Sequence, residues 1–368
     1  MEKIRVLHIV GKMERGGLET MIMNFYRNIN KSKVQFDFIV HGEEKGFFDD
    51  EILKMGGKIY HVRKKSDSFL GNLKDIYNVI YNNQYKIVHV HQDAMSMFAL
   101  REAKRAGVSI RIAHAHSTSM PPSLLGKIIY PYALKRTNKY ATHKFACSEA
   151  SAKYLFNRNT SNVVIFKNAI NTQRFTFIPE EYQSVREKYN LNGNFVIGHI
   201  ANFLYPKNHD FVIEIFKELL KKRTNSKLLL CGSGQLLEQY KNKVIESDLQ
   251  ENIIFMGNID NVNEIMQGLD AFILPSLYEG FPVVLVEAQC EGLPCFVSNV
   301  ITKETKITDN IHYLSLNAGP EKWSDEILKV VSSNRKDFSD EIYKSGFDIL
   351  DVSKKLEDVY LSLADRLK

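Results

Sequence analysis

Several things are scarce in this chain, and each scarcity excludes something. Only four of the 368 residues are cysteine, at Cys147, Cys231, Cys290 and Cys295. None forms a CxxC pair, so neither a zinc site of the usual spacing nor a disulfide framework is expected, and each thiol reads as a small core residue. No apolar run approaches the length of a membrane-spanning helix. The opening "MEKIRVLHIV" carries an acid and enters a strand at once, unlike a secretory signal. A cytosolic protein is the expectation. No GxGxxG follows a strand, which counts against a dinucleotide cofactor. No reading helix or base-stacking platform stands out, so nucleic acid is not an expected partner.

Acid is also absent locally. Residues 103–148 contain no Asp or Glu, yet they hold Lys104, Arg105, Arg111, Lys127, Lys135, Arg136, Lys139 and Lys144. Within this window "LLGKIIYPYALKRTNKY" interleaves basic residues with Tyr130, Tyr132 and Tyr140. Such a segment suits an anionic membrane surface, or simply a solvated face of the domain. The whole chain is 44% hydrophobic and 25% charged, with a formal net charge of +6, as for an ordinary folded protein with a mild attraction for anions.

What is abundant is alternation. Short apolar runs such as "IRVLHIV", "VQFDFIV", "YKIVHVHQ" and "RIAHAH" take turns with amphipathic helical stretches. This predicts an α/β fold with mostly parallel sheets. The rhythm breaks over 171–193 and restarts at "NFVIGHIA". The expected organisation is therefore two doubly wound, Rossmann-like domains over 1–170 and 194–345. Residues 171–193 connect them, and a terminal helix over 346–368 returns to the first. Ligands of such sheets bind beyond the carboxyl ends of strands, so a cleft between the domains is the expected site.

Near the last third, "PSLYEGFPVVLVEA" places Glu279 and Glu287 with seven residues between them, one after a strand and one on the following helix. This stretch resembles the E-x7-E signature of retaining glycosyltransferases of the family 4 type, which have the GT-B fold. "GKMERGGLE", "RIAHAHS", "FACSEAS", "GHIANFLYPKNHDFVIEIF", "LLLCGSGQL" and "IIFMGNIDNVNEIMQGLD" follow the same family's order and span nearly the whole chain. The resemblance implies transfer of a hexosyl-type sugar from a nucleotide-sugar, of which a UDP-sugar is favoured. The acceptor is a carbohydrate or lipid-linked glycan in bacterial capsule, exopolysaccharide or O-antigen assembly. No metal and no further cofactor is expected, and the chain would work in the cytoplasm, at the inner face of the cell membrane. A nucleotide-binding scaffold that has lost turnover is the alternative.

The resemblance also implies roles for individual residues. Glu287 takes the ribose hydroxyls, and Glu279 lies near the donor sugar and diphosphate. Lys207 steadies the departing diphosphate, and the backbone of Gly280 and Phe281 offers N–H donors. Gly16 and Gly17 let the backbone approach a ligand, with Glu19 as loop support. Gly232 and Gly234 lie beneath the base, and Asn258 lies near it. His114 contacts the donor sugar, with His116 as a further candidate; of the pair His89 and His91 at a strand end, His91 approaches the acceptor, while His199 and His209 read as structural. Where the family usually has Gly-Arg, this chain has Ala201–Asn202, so one cationic group on the diphosphate is missing. Glu291, one turn beyond Glu287, reads as an ordinary surface acid.

Overall fold

A computed structural model describes residues 3–117, 124–157, 160–330 and 335–367, with the side chains of 124–128 outside that description. The chain forms two compact units. One comprises Met1–Ala169 with Ile349–Lys368, the other Ile170–Asp348.

The first unit holds a parallel sheet of seven strands: β1 (Ile4–Ile9), β2 (Val34–His41), β3 (Ile59–Val62), β4 (Ile87–Val90), β5 (Ile110–Ala115), β6 (His143–Ala146) and β7 (Val163–Ile165). Their order is β3-β2-β1-β4-β5-β6-β7. The second unit holds six strands: β8 (Phe195–Ile200), β9 (Ser226–Cys231), β10 (Ile253–Gly257), β11 (Ala271–Leu274), β12 (Cys295–Ser298) and β13 (Ile311–Leu314). Their order is β10-β9-β8-β11-β12-β13. In each sheet the winding reverses beside the first strand, between β1 and β4 and between β8 and β11. Loops leaving the carboxyl ends at such a reversal diverge and leave room for a ligand.

The strands are continuous apolar runs because helices cover both sheet faces. Val6, Phe36, Phe38 and Ile112 lie on one face of the first sheet, and Leu7, Ile9, Val88 and Ala113 on the other. The second sheet divides likewise into the clusters around Leu229 and Phe272 and around Ile197 and Trp323.

Two boundaries differ from those read in the sequence. Residues 171–193 are part of the second unit and not a free connection. They bury Phe175, Val185 and Leu191, and the Thr172 hydroxyl donates to Asp348 at 2.6 Å. The polar helix there, Pro179–Lys188, exposes Glu180, Glu181, Glu187 and Lys188 but buries Arg186 in an ion pair with Asp270, and it packs on the helix Val262–Gln267. The chain re-enters the first unit at Ile349, where the helix Ile349–Asp365 packs against the helix Gly17–Asn28 and β2.

The basic, tyrosine-bearing segment is the helix Leu124–Tyr140, with Pro131 inside it. Tyr130 is a core residue and Tyr140 is half-buried, which leaves Tyr132 as its exposed tyrosine, beneath the Arg136 guanidinium. Lys127 lies outside the described side chains.

Candidate functional site

In the second unit the loops after β8 and β11 meet at the sheet reversal. After β8 the chain turns through Tyr205–Lys207 and enters the helix His209–Lys222. Asn208 makes that entry in the left-handed conformation (φ 56°), which asparagine tolerates better than most residues. Its side-chain amide donates to the Pro275 carbonyl at 3.0 Å, and the Leu277 N–H donates to the Pro206 carbonyl at 2.8 Å. These bonds stitch the two loops together.

Across the seam, Lys207 Nζ lies 2.5 Å from Glu279 Oε1, and the buried Ser276 hydroxyl donates to the same oxygen at 2.7 Å. Side-chain exposure is 23% for Lys207 and 9% for Glu279, so the pair is sheltered but the ammonium still reaches solvent. After Glu279 the helix Val283–Cys290 begins with Pro282 at its N-cap and no side-chain cap. The N–H groups of Gly280 and Phe281 have no acceptor among the described residues. The Phe281 ring stacks on Phe347 at 5.7 Å, which leaves its backbone as the part that could meet a ligand.

Glu287 lies one turn into that helix and is half-buried. Burial pushes its carboxyl up to about 7, against a downward pull from Arg174. Its side chain makes no hydrogen bond among the described residues. Arg174 reaches over from the segment read as a connection, bonding Asn263 Oδ1 at 2.9 Å and the Asp260 carbonyl at 3.0 Å. Sequence reading did not single out Arg174, because its proximity to Glu287 exists only in the folded unit. Asn202 and Asn258 are exposed at the ends of β8 and β10.

Gly232 and Gly234 bring the loop after β9 against the loop after β8. A Cβ on Gly232 would lie 2.1 Å from the Ala201 carbonyl oxygen, and one on Gly234 2.6 Å from that of Phe203. Their φ values of 142° and 151° are ones that side chains disfavour. These glycines let the loop after β9 press against the loop that carries Asn202.

Glu291 is fully buried, which corrects its reading as a surface acid. Its Oε2 lies 3.1 Å from the Arg335 guanidinium, which also donates to the carbonyls of Met266, Gln267 and Leu269. Arg335 thus satisfies the end of the helix Val262–Gln267, and Glu291 balances its charge. Burial raises the Glu291 carboxyl.

In the first unit the reversal carries histidines. Strand residues two apart share a face, and His8 pairs in register with His89. His8, His89, His91, His114 and His116 therefore line one face of three adjacent strands. Ring centroids lie 5.1 Å apart for His89 and His114, and 5.2 Å for both His8–His91 and His91–His116. His114 is 1% exposed, with its Nδ1 3.0 Å from His89 Nε2, and His89 Nδ1 meets the Tyr360 hydroxyl at 2.6 Å. This corrects the expected opening of His114 toward a ligand. Its side chain points into the sheet face covered by the helix of Tyr360.

His116 stands just past the end of β5 and is only part-buried. Asp93, not singled out in the sequence, holds that turn by accepting from the N–H groups of His116 at 2.7 Å and Ser117 at 3.2 Å. Burial keeps the rings neutral, holding His8 and His116 down at about 3. His199 and His209 are buried in the second unit, where the His209 ring stacks on Phe203.

Gly16 caps the helix Gly17–Asn28, and a Cβ there would collide with the Glu19 carboxylate, 2.2 Å away. Glu19 thus folds back over its own helix start. A Cβ on Gly17 would meet nothing within 4 Å, so packing does not require that glycine.

Residues 181–345 match the family described as glycosyl transferases group 1, and residues 15–174 match glycosyltransferase family 4. EpsF of Bacillus subtilis, named as a glycosyltransferase, is 34% identical over 90% of this chain and 88% of its own. The chain belongs to the family 4 glycosyltransferases. CapH of Staphylococcus aureus, a capsular polysaccharide biosynthesis glycosyltransferase, is 26% identical over 98% of this glycosyltransferase and 99% of its own chain. Anabaena HepE, solved in complex with UDP, has the same fold, with a TM-score of 0.78 at 15% identity over 98% of this chain and 100% of its own.

Proposed function

We propose that this glycosyltransferase moves a hexosyl-type sugar from a UDP-sugar to a carbohydrate or lipid-linked glycan, with retention and without a metal. The observation that carries the reading is the Lys207–Glu279 pair at the reversal of the second sheet, followed by a helix that holds, one turn in, a half-buried Glu287 with no hydrogen bond among the described residues. Glu287 accepts from the two ribose hydroxyls, as an acid at the equivalent place of a nucleotide fold does. Lys207 meets the diphosphate. The bond from the sugar's anomeric carbon to the β-phosphate oxygen breaks, and its electron pair leaves with UDP. The ammonium and the N–H groups of Gly280 and Phe281 are aimed at that growing charge. Glu279 steadies Lys207 in the free protein and accepts from sugar hydroxyls in the complex. The acceptor oxygen bonds the anomeric carbon on the face that UDP leaves, and its proton passes to the departing diphosphate.

His116, not His114, is the histidine of the first unit that reaches a ligand. Arg174 supplies a cation near Glu287. UDP bound to HepE and the capsular role of CapH support a UDP-sugar and a polysaccharide acceptor. Work at an anionic membrane surface belongs to the same reading, with Lys135, Arg136 and Lys139 as the contacts.

Titration calorimetry with UDP, GDP and ADP, on wild type and Glu287→Ala, is the test. UDP-selective binding lost in the variant supports the donor assignment, and equal binding of all three overturns it. Nuclear magnetic resonance of the product anomer then reads retention directly. UDP binding without any Glu279-dependent hydrolysis or transfer would favour the scaffold alternative, which the uncharged Asn202 motivates.

A further inference from the structure

Three rings in the first unit form a hydrogen-bonded chain that leads from the core to the ligand side. His8 Nδ1 lies 2.9 Å from His91 Nε2, and His91 Nδ1 lies 3.0 Å from His116 Nε2. A neutral imidazole has one N–H and one lone pair. Three rings bring three N–H groups to two contacts, so one N–H must emerge at an end of the chain. One end is His8 Nε2, which is wholly buried without a partner among the described residues, in a ring 4.1 Å from the Phe36 ring. The other is His116 Nδ1, on a part-buried residue beyond the strand. A buried N–H without an acceptor is rarer in folded proteins than an unused acceptor lone pair. The spare N–H therefore belongs at the outer end.

We infer that His8 and His91 act as positioning residues that hold His116 in its Nδ1–H tautomer, so that its accessible side is a hydrogen-bond donor and not a base. His8 donates to His91, and His91 donates to His116. Reversing His116 would require reversing both inner rings and stranding an N–H beside Phe36. A ligand oxygen with free lone pairs, such as a sugar hydroxyl or a phosphate oxygen, fits this donor, whereas a hydroxyl that must lose a proton does not. The inference rests on the reading of His116 as the ligand-facing histidine. His91, His114 and His116 also bring three ring nitrogens within 4.8 Å of one another, but a cation there would compete with the contact between His91 and His116.

Histidine-selective ¹⁵N labelling of the whole chain tests this without any substrate, so a wrong enzyme assignment leaves the result intact. His116→Asn identifies the resonances. In two-bond proton–nitrogen spectra near neutral pH, His116 Nε2, the nitrogen coupled to both ring protons, is expected at the unprotonated position and Nδ1 at the protonated one. In His91→Leu, checked for folding by its amide spectrum, this single-form pattern should give way to averaged shifts. A protonated Nε2 in the wild type, averaged shifts in the wild type, or an unchanged pattern in folded His91→Leu would each overturn the proposal. So would a shift of the His91, His114 and His116 resonances with equimolar zinc. If His91→Leu does not fold, the wild-type pattern decides alone.

Discussion

Lys207 and Glu291 are both charged residues in ion pairs, but they answer to different demands. Lys207 keeps solvent access and faces a carboxylate that a ligand can displace or share. Lys207→Ala should lower kcat by about a hundredfold, as when one preorganised donor is removed from a developing anion, while the melting temperature stays near wild type. Glu291 has no solvent access, and its partner Arg335 is almost as enclosed. Glu291→Gln leaves that guanidinium without a counter-charge and should destabilise the fold by about 3 kcal/mol in urea unfolding. Glu287 titrates near neutrality because burial raises it to about 7. A carboxyl raised in the folded state favours the protonated form, so its contribution to stability falls as pH rises through that value. Ribose hydroxyls need the carboxylate as acceptor, so UDP affinity should rise with pH through about 7. In Glu287→Gln that rise should disappear, and calorimetry at a series of pH values reads both. The resemblance singled out Glu279, Glu287 and Lys207, and the fold brings Lys207 and Glu279 into contact. The sequence reading mistook Glu291, because helical spacing tells that a residue lies one turn on from Glu287 but not that a loop carrying Arg335 closes over it.

At the level of elements, what places the chemistry is the fit of one loop on another. The loop after β9 touches the loop after β8 so closely that a single methyl at Gly232 meets a carbonyl oxygen. Gly232→Ala should therefore cost about 1–3 kcal/mol in stability through backbone strain. It should also weaken UDP binding, since the displaced loop carries Asn202 and leads to Lys207; thermal unfolding and calorimetry on the same variant check both. The strands and most helices were legible as apolar runs and amphipathic stretches. The backbone contact at Gly232 and Gly234 was not, because a glycine beside a strand end carries no mark of which loop will press against it. The histidine face shows a similar limit. The spacing in "HVH" and "HAH" tells that paired rings share a face, but not that three such strands lie side by side beneath the helix of Tyr360.

For the whole chain, the first unit is completed by its last helix. Val352, Leu356, Tyr360 and Leu363 of Ile349–Asp365 are buried in the core that also holds Phe36 and Phe38. Each such side chain contributes roughly 1.5–3 kcal/mol of burial. Deleting residues 349–368 should therefore remove about as much as a domain's entire net stability. Hydrogen exchange should then show β1, β2 and β4 losing protection while β8, β9 and β11 keep theirs; equal loss in both units would contradict the division. By itself the sequence determined the α/β class, the two sheets and the family, because periodicity and short motifs are local properties of a chain. Only the tertiary structure decided that 171–193 belongs to the second unit, that Glu291 is buried, that Arg174 lies near Glu287, and that His116 and not His114 emerges from a ladder of rings. Those facts depend on which elements become neighbours and which faces they cover, and burial, with the charge state it imposes, exists only once they have met.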